Sequence, residues 1–234
     1  MNIVKLSTVA LEKGTIVATA LRLLDELGLD GLTLRRLAGE LGVQAPALYW
    51  HFKNKQQLLD AMAAAMMAAH MSRPELKEPD GWREWIAGYA HSERAMLNSH
   101  RDGAKLVAGT RPSPELFARV ERAVAGLESA GFAVGDAVRG LFAVSGYVAG
   151  FVLEEQADRM RSDVGHARPD MEAFQAAYPR LMAGLAEVGD PQGDRSFEGG
   201  LQLVLDGMER RLGAQSTAAA GADQVSQAEG ETAR

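Results

Sequence analysis

The residues between Thr33 and Lys55 are the ones whose types and order could do chemistry in this 234-residue chain. Thr33 precedes Leu34-Arg35-Arg36-Leu37, Gly42 interrupts, and Pro46 opens a second run that leads through Tyr49-Trp50-His51 to Lys53-Asn54-Lys55. A threonine oxygen there can cap a short helix whose buried side is Leu37 and Leu41. A proline in the first turn of the next helix forfeits no hydrogen bond. Short helix, glycine turn, short helix is the pattern that lays its second helix in the major groove of DNA. Tyr49 and His51 are polar-tipped and suited to phosphate or base edges, while Trp50 reads as partly core. The same spacing also fits a plain helical hairpin with a solvated charged face, and spacing alone leaves both readings open.

Other chemistries find little support. The chain has no cysteine, so disulfides, thiolate metal sites and cysteine nucleophiles are excluded. Its five histidines are scattered, without HExxH spacing, and neither GxSxG nor GxGxxG occurs. No metal site, cofactor or catalytic residue is expected, and the chain does not read as an enzyme. The net charge of −6 excludes a general basic coat. The sign is uneven, however. Residues 1–56 carry seven basic and five acidic side chains, net +2, which leaves −8 for the remainder. A basic head on an acidic body suits a local DNA contact. No signal peptide is recognisable, and runs such as Ala61–Ala69 and Leu141–Leu153 fall short of the ~20 apolar residues of a membrane span. A cytoplasmic protein is expected.

The elements that must position these residues are helical. Ile16, Ala20, Leu23, Leu24 and Leu27 form one apolar stripe that Gly28 and Gly31 end. Further helices are expected from Lys55 to about His70, Trp82 to about Ser99, Glu115–Ala130, Asp136–Met160, Met171–Val188 and Ser196–Leu212. Prolines at 112 and 114 forbid continuation there. The helix Asp136–Met160 is apolar beyond one stripe, so it needs more than one packing partner. Met62, Met66, Met67, Met71 and Met96 read as core fillers before they read as a ligand box. The expected organisation is an all-α chain: a three-helix head over 1–56, a helical body over 57–213 and a disordered tail over 214–234, poor in large aliphatic residues.

The runs Gly31–Ala38 and Pro46–Lys55 resemble the DNA-binding head of the tetracycline-repressor (TetR) family. The likeness extends through His100–Lys105, Gly109-Thr110-Arg111-Pro112, Gly131-Phe132, Ala143-Val144-Ser145 and Val152–Gln156, covering roughly Leu11 to Leu212. The resemblance implies a helix-turn-helix head and a body that dimerises through a four-helix bundle made by Asp136–Met160 and Ser196–Leu212. It implies a palindromic operator, a small-molecule inducer and release of DNA when that inducer binds. Thr33, Arg35, Gln44, Pro46, Tyr49, His51 and Lys55 take the positions that face DNA, with Arg35 as the base-reading arginine. Ala45 and Ala47 stand where the tetracycline repressors have polar residues, so the operator should differ.

The same resemblance assigns the ligand site to Met71, Tyr89, Glu93, Val107, Thr110, Arg111, Pro112, Val120, Ala123, Val138, Leu141 and Glu154. Val107 stands where the tetracycline repressors have the histidine that binds magnesium, and a valine cannot ligate a hard cation. Met71, Tyr89, Glu93 and Ala123 replace His, Asn, Phe and Gln. The site should be more apolar, with one new acid, and suited to a large, mostly apolar molecule that is cationic or hydroxylated. Polyketide-type antibiotics are the class that family habit implies. The alternatives are a ligand-dependent activator and a small-molecule binder without repressor activity.

Overall fold

The computed structural model describes residues 11–70, 76, 79–162 and 171–232. Eleven α-helices run through these residues, and no strand occurs among them. Two compact units form. One joins residues 11–70 with Ala95–Ser113; the other joins Trp82–Arg94 with the described chain from Pro114 onward.

In the first unit, α1 (Lys13–Gly31) buries Ile16, Ala20, Leu23 and Leu24, while Leu27 at the end of the stripe is exposed. The helical dihedrals fail at Gly28 (φ 70°, ψ 174°), a conformation that costs glycine little. The helix α2 (Leu34–Glu40) begins at Thr33, whose hydroxyl accepts the Arg36 N–H at 3.2 Å. Gly42 turns the chain at φ 66° into α3 (Ala45–Tyr49), which carries Pro46 in its first turn. The Asn54 side chain accepts the Gln57 N–H at 2.9 Å at the start of α4 (Lys55–His70). Leu37, Leu48, Phe52, Leu58 and Met62 close the core between these helices. Met66 and Met96 are also buried, in keeping with core methionines, whereas Met71 lies outside the described residues.

The segment 95–113 belongs to the same unit through specific bonds. Asp102, in the left-handed region at φ 55°, accepts the Leu29 N–H at 2.9 Å and pairs with Lys105 at 3.0 Å. Burial alone would raise this carboxyl; the Leu29 N–H, Lys105 and Arg101 outweigh it and hold it below the ordinary range. His100 Nδ1 lies 2.8 Å from Asp25, which also accepts the Arg101 N–H at 2.9 Å. The short helix α6 (Gly103–Ala108) packs on α4. Beyond it, Gln56 donates to the Gly109 carbonyl at 2.8 Å, and the Arg111 N–H donates to Asp60 at 3.3 Å.

The second unit is organised on α8 (Val134–Ser162), packed by α7 (Pro114–Ser129) and α11 (Asp194–Thr232). Val144, Val148 and Val152 meet a core that includes Phe197, Leu201 and Leu205. Trp82, at the start of α5 (Trp82–Asn98), sits edge-on to Phe132 with centroids 5.0 Å apart. Arg94 forks onto the buried carboxylate of Glu155 (2.6 and 3.2 Å), reaches Asp194 at 2.8 Å, and lies over the Phe197 ring. Arg83 pairs with Asp206 and Glu209 of α11.

Three sequence expectations change. The helix expected over Met171–Val188 is two, α9 (Met171–Ala177) and α10 (Pro179–Val188), because Pro179 cannot donate into a continuing ladder. The segment expected to be a disordered tail is helical backbone as far as Thr232. Its alanines, glutamines and glutamates are good helix formers and no proline interrupts them, so low apolar content did not decide the backbone. The length and composition of Val134–Met160 would also suffice for a membrane span, but no single apolar run in it reaches that length, as the sequence indicates. Trp50 is not partly core: it is 90% exposed.

Candidate functional site

A helix-turn-helix works only if its turn is rigid and its second helix presents side chains outward. Both conditions hold in the first unit. Leu37 and Leu48 anchor α2 and α3 from below, and the Val43 N–H closes the turn on the Ala38 carbonyl at 3.0 Å. Outward stand Thr33, Arg35, Gln44, Pro46, Tyr49 and Lys55, all exposed, with His51 half-buried beside them. Tyr49 is 52% exposed. The expected DNA-facing set therefore lies in one unit and, His51 apart, is exposed. Trp50 is the residue that sequence reasoning missed. A large indole beside an exposed phenol is costly to leave in water. Its position inside the Tyr49-Trp50-His51 run was the available signal.

The residues expected at the ligand site divide between the units. In the first, Val107 is half-buried and its carbonyl accepts the Thr110 hydroxyl at 2.8 Å, while Arg111 and Pro112 are exposed. In the second, Val120 and Ala123 of α7 and Val138 of α8 are half-buried, Leu141 is buried, and Glu154 is exposed. Tyr89 and Glu93 are brought together through a residue not expected in the site, Ser145 of α8. Ser145 donates to the Glu93 carboxyl at 3.1 Å, and its oxygen lies 3.3 Å from the Tyr89 hydroxyl. Tyr89 stacks on Trp85 at 6.3 Å between centroids. Burial pushes the Glu93 carboxyl up to about 7 against the lowering effect of the Ser145 bond. Burial also raises the Tyr89 phenol, so it stays neutral and able to donate. A lone hydroxyl in an otherwise apolar helix face was the signal for Ser145.

An all-α chain with a capped helix-turn-helix and a second helical unit holding a part-buried polar cluster has the build of a ligand-responsive DNA-binding regulator. The family model "Bacterial regulatory proteins, tetR family" matches residues 16–62, and "Tetracyclin repressor-like, C-terminal domain" matches 73–212. The chain belongs to the TetR family. It is 43% identical over 202 residues to the class A tetracycline repressor protein from transposon 1721 of Escherichia coli, covering 86% of this chain and 92% of that one. Among solved structures it is similar to TetR from Acinetobacter baumannii AYE (42% identity, TM-score 0.67, covering 86% and 98%). It is also similar to class A TetR in complex with 5a,6-anhydrotetracycline and magnesium (38% identity, TM-score 0.65, covering 86% and 99%).

The magnesium of that relative does not fit the residues here. Val107 offers no side-chain lone pair, and its carbonyl is engaged by Thr110. Among the described residues no group of three or more His, Asp or Glu side chains gathers as a metal site. A hard cation takes oxygen donors, carboxylates foremost.

Proposed function

We propose that this chain is a transcriptional repressor that binds a palindromic operator as a homodimer and leaves it when a small molecule occupies the body. The observation that carries this reading is the rigid, capped helix-turn-helix with Arg35, Tyr49, Trp50 and Lys55 turned to solvent. Arg35 is exposed, and a guanidinium there can grip guanine O6 and N7 together. Lys55 sits at the start of α4, where an ammonium meets phosphate. A route from effector to head is supported inside the first unit. Gly109 and Arg111, flanking Thr110, are bonded to Gln56 and Asp60 of α4, and Asp102 is bonded to Leu29 just past the break in α1. A ligand that favours another arrangement of 103–112 would bias the helices that carry the DNA-facing residues.

The homodimer reading is supported by Phe142 of α8 and Leu203 of α11, which are 66% and 73% exposed. Two large apolar side chains on adjacent helices call for a covering surface. The proposed compartment is the cytoplasm, where such regulators meet DNA, and no reaction is assigned to the chain. The test is fluorescence anisotropy with DNA from upstream of its own gene. Saturable, salt-sensitive binding to a palindrome is expected, and equal affinity for scrambled DNA would refute the reading.

The inducer is proposed to act without a metal. Tetracycline should release the operator poorly, and adding magnesium or EDTA should change the release midpoint by less than about twofold, because Val107 leaves the ion without a direct protein ligand. Tight release that depends on magnesium would overturn this.

A further inference from the structure

One face of α5 carries Trp85, Tyr89 and Glu93 at intervals of four residues, so the three side chains follow one another along the helix. Trp85 and Tyr89 are stacked, with planes 18° apart. Glu93 completes the row and is bonded to Ser145 alone among the described residues. The basic side chains nearest in sequence are engaged elsewhere. His91 pairs with Glu198 at 2.8 Å, and Arg94 is held by Glu155 and Asp194. From α7, the Arg119 charge reaches Tyr89; from α8, the group facing Glu93 is the neutral Ser145. A part-buried carboxyl with one neutral donor gains nothing over a glutamine unless a positive charge comes to meet it.

We propose that Glu93, together with the Trp85–Tyr89 aromatic pair, is the subsite for a positively charged nitrogen of the effector, so that the ligand class is the lipophilic polycyclic cation. This rests on the reading of the second unit as the effector-binding body. The aromatic faces attract a cation through their quadrupoles, and the carboxylate supplies the full countercharge. Ser145 holds one carboxyl oxygen and leaves the other for the ligand. With the carboxyl raised to about 7, the empty site keeps a proton for much of the time, and an arriving cation displaces it. A buried unpaired charge is thereby avoided in both states.

The experiment uses the full-length protein without DNA and rhodamine 6G, whose charge does not titrate near neutral pH. Binding is followed by fluorescence anisotropy from pH 6 to pH 8. Saturable binding is expected, tightening about tenfold over that range as Glu93 ionises. Glu93→Gln should weaken binding at pH 8 by about tenfold or more and flatten the pH profile. Ser145→Ala removes the bond that favours ionisation, so its midpoint should move to higher pH. Absence of saturable binding, or a Glu93→Gln variant with unchanged affinity and pH profile, overturns the proposal. Operator affinity of each variant is measured in parallel. Retained operator binding shows that the variant is folded. Cation binding without operator release would sink the inducer role while leaving the cation site standing.

Discussion

At the scale of single residues, the cap and the exposed positions of the helix-turn-helix were legible because local sequence displays the residue types that capping and solvent exposure ask for. Thr33 could be read as a cap, and it is one. Arg35→Ala should cost about 1–3 kcal/mol of operator affinity and relax one base preference, whereas Lys55→Ala should weaken all sequences alike and lower the salt slope by about one. Competition titrations with single-base operator variants separate the two. Trp50 was misread, because an indole in an apolar run is more often core and only the register of a five-residue helix decides otherwise. Glu93 could be recognised as a new acid, but its partner Ser145 lies 52 residues away, and nothing local couples them. Its carboxyl binds a proton more tightly in the folded chain than in the unfolded one, where the ordinary value is 4.5. The stability this gives is fully present below that value and is lost as pH rises through about 7. Glu93→Gln, neutral throughout, should therefore raise Tm at pH 8 by roughly 2–8 °C and leave it nearly unchanged at pH 5. Thermal unfolding at the two pH values checks the sign.

At the scale of elements, helix periodicity located α1, α4, α5, α7 and α8 to within a few residues, since the apolar residues of each recur at the 3.6-residue period. Breaks were harder. The helix over 171–188 looked continuous until Pro179 was weighed against its own preceding turn. The end of α11 was missed because apolar content predicts packing, while backbone propensity decides whether a solvated stretch can stay helical. Close approaches between elements were not legible at all. A Cβ on Gly103 would sit 2.3 Å from the Leu97 carbonyl oxygen, and backbone cannot step aside as a flexible side chain can. Gly103→Ala should destabilise by about 3 kcal/mol or more. Gly184→Ala in α10, with nothing within 4 Å, should be neutral or stabilise by up to about 1 kcal/mol. Urea unfolding of the pair provides the comparison, and equal midpoints would contradict the close contact.

At the scale of the whole molecule, the excess apolar surface of α8 was visible in sequence as a helix hydrophobic beyond one stripe. The particular residues left uncovered, Phe142 and Leu203, required the fold. Light scattering at micromolar concentration should give a mass near twice the 25.1 kDa of the chain, and Phe142→Asp should lower it toward one. A single-chain mass for the unmodified protein would remove the covering surface from consideration. The division into head and body at residue 56 was natural in sequence, because composition and charge change there. Contacts divide the chain elsewhere, since pairing across long sequence separations leaves no local trace.

The bonds from Asp102 to Leu29, from Asp25 to the Arg101 N–H, and from Gln56 and Asp60 to Gly109 and Arg111 carry a practical consequence for anyone who would re-aim such a regulator at a new promoter. A cut at the seam after the recognition helix would separate the two partners of several of these bonds. A chimera that imports only residues 1–56 from a relative brings foreign side chains at positions 25 and 56 to meet the Arg101 N–H and the Gly109 carbonyl. Grafts that carry 57–70 and 95–113 with the head keep donor and acceptor from the same parent. The transplantable cassette is discontinuous in the gene although it is a single piece in the protein.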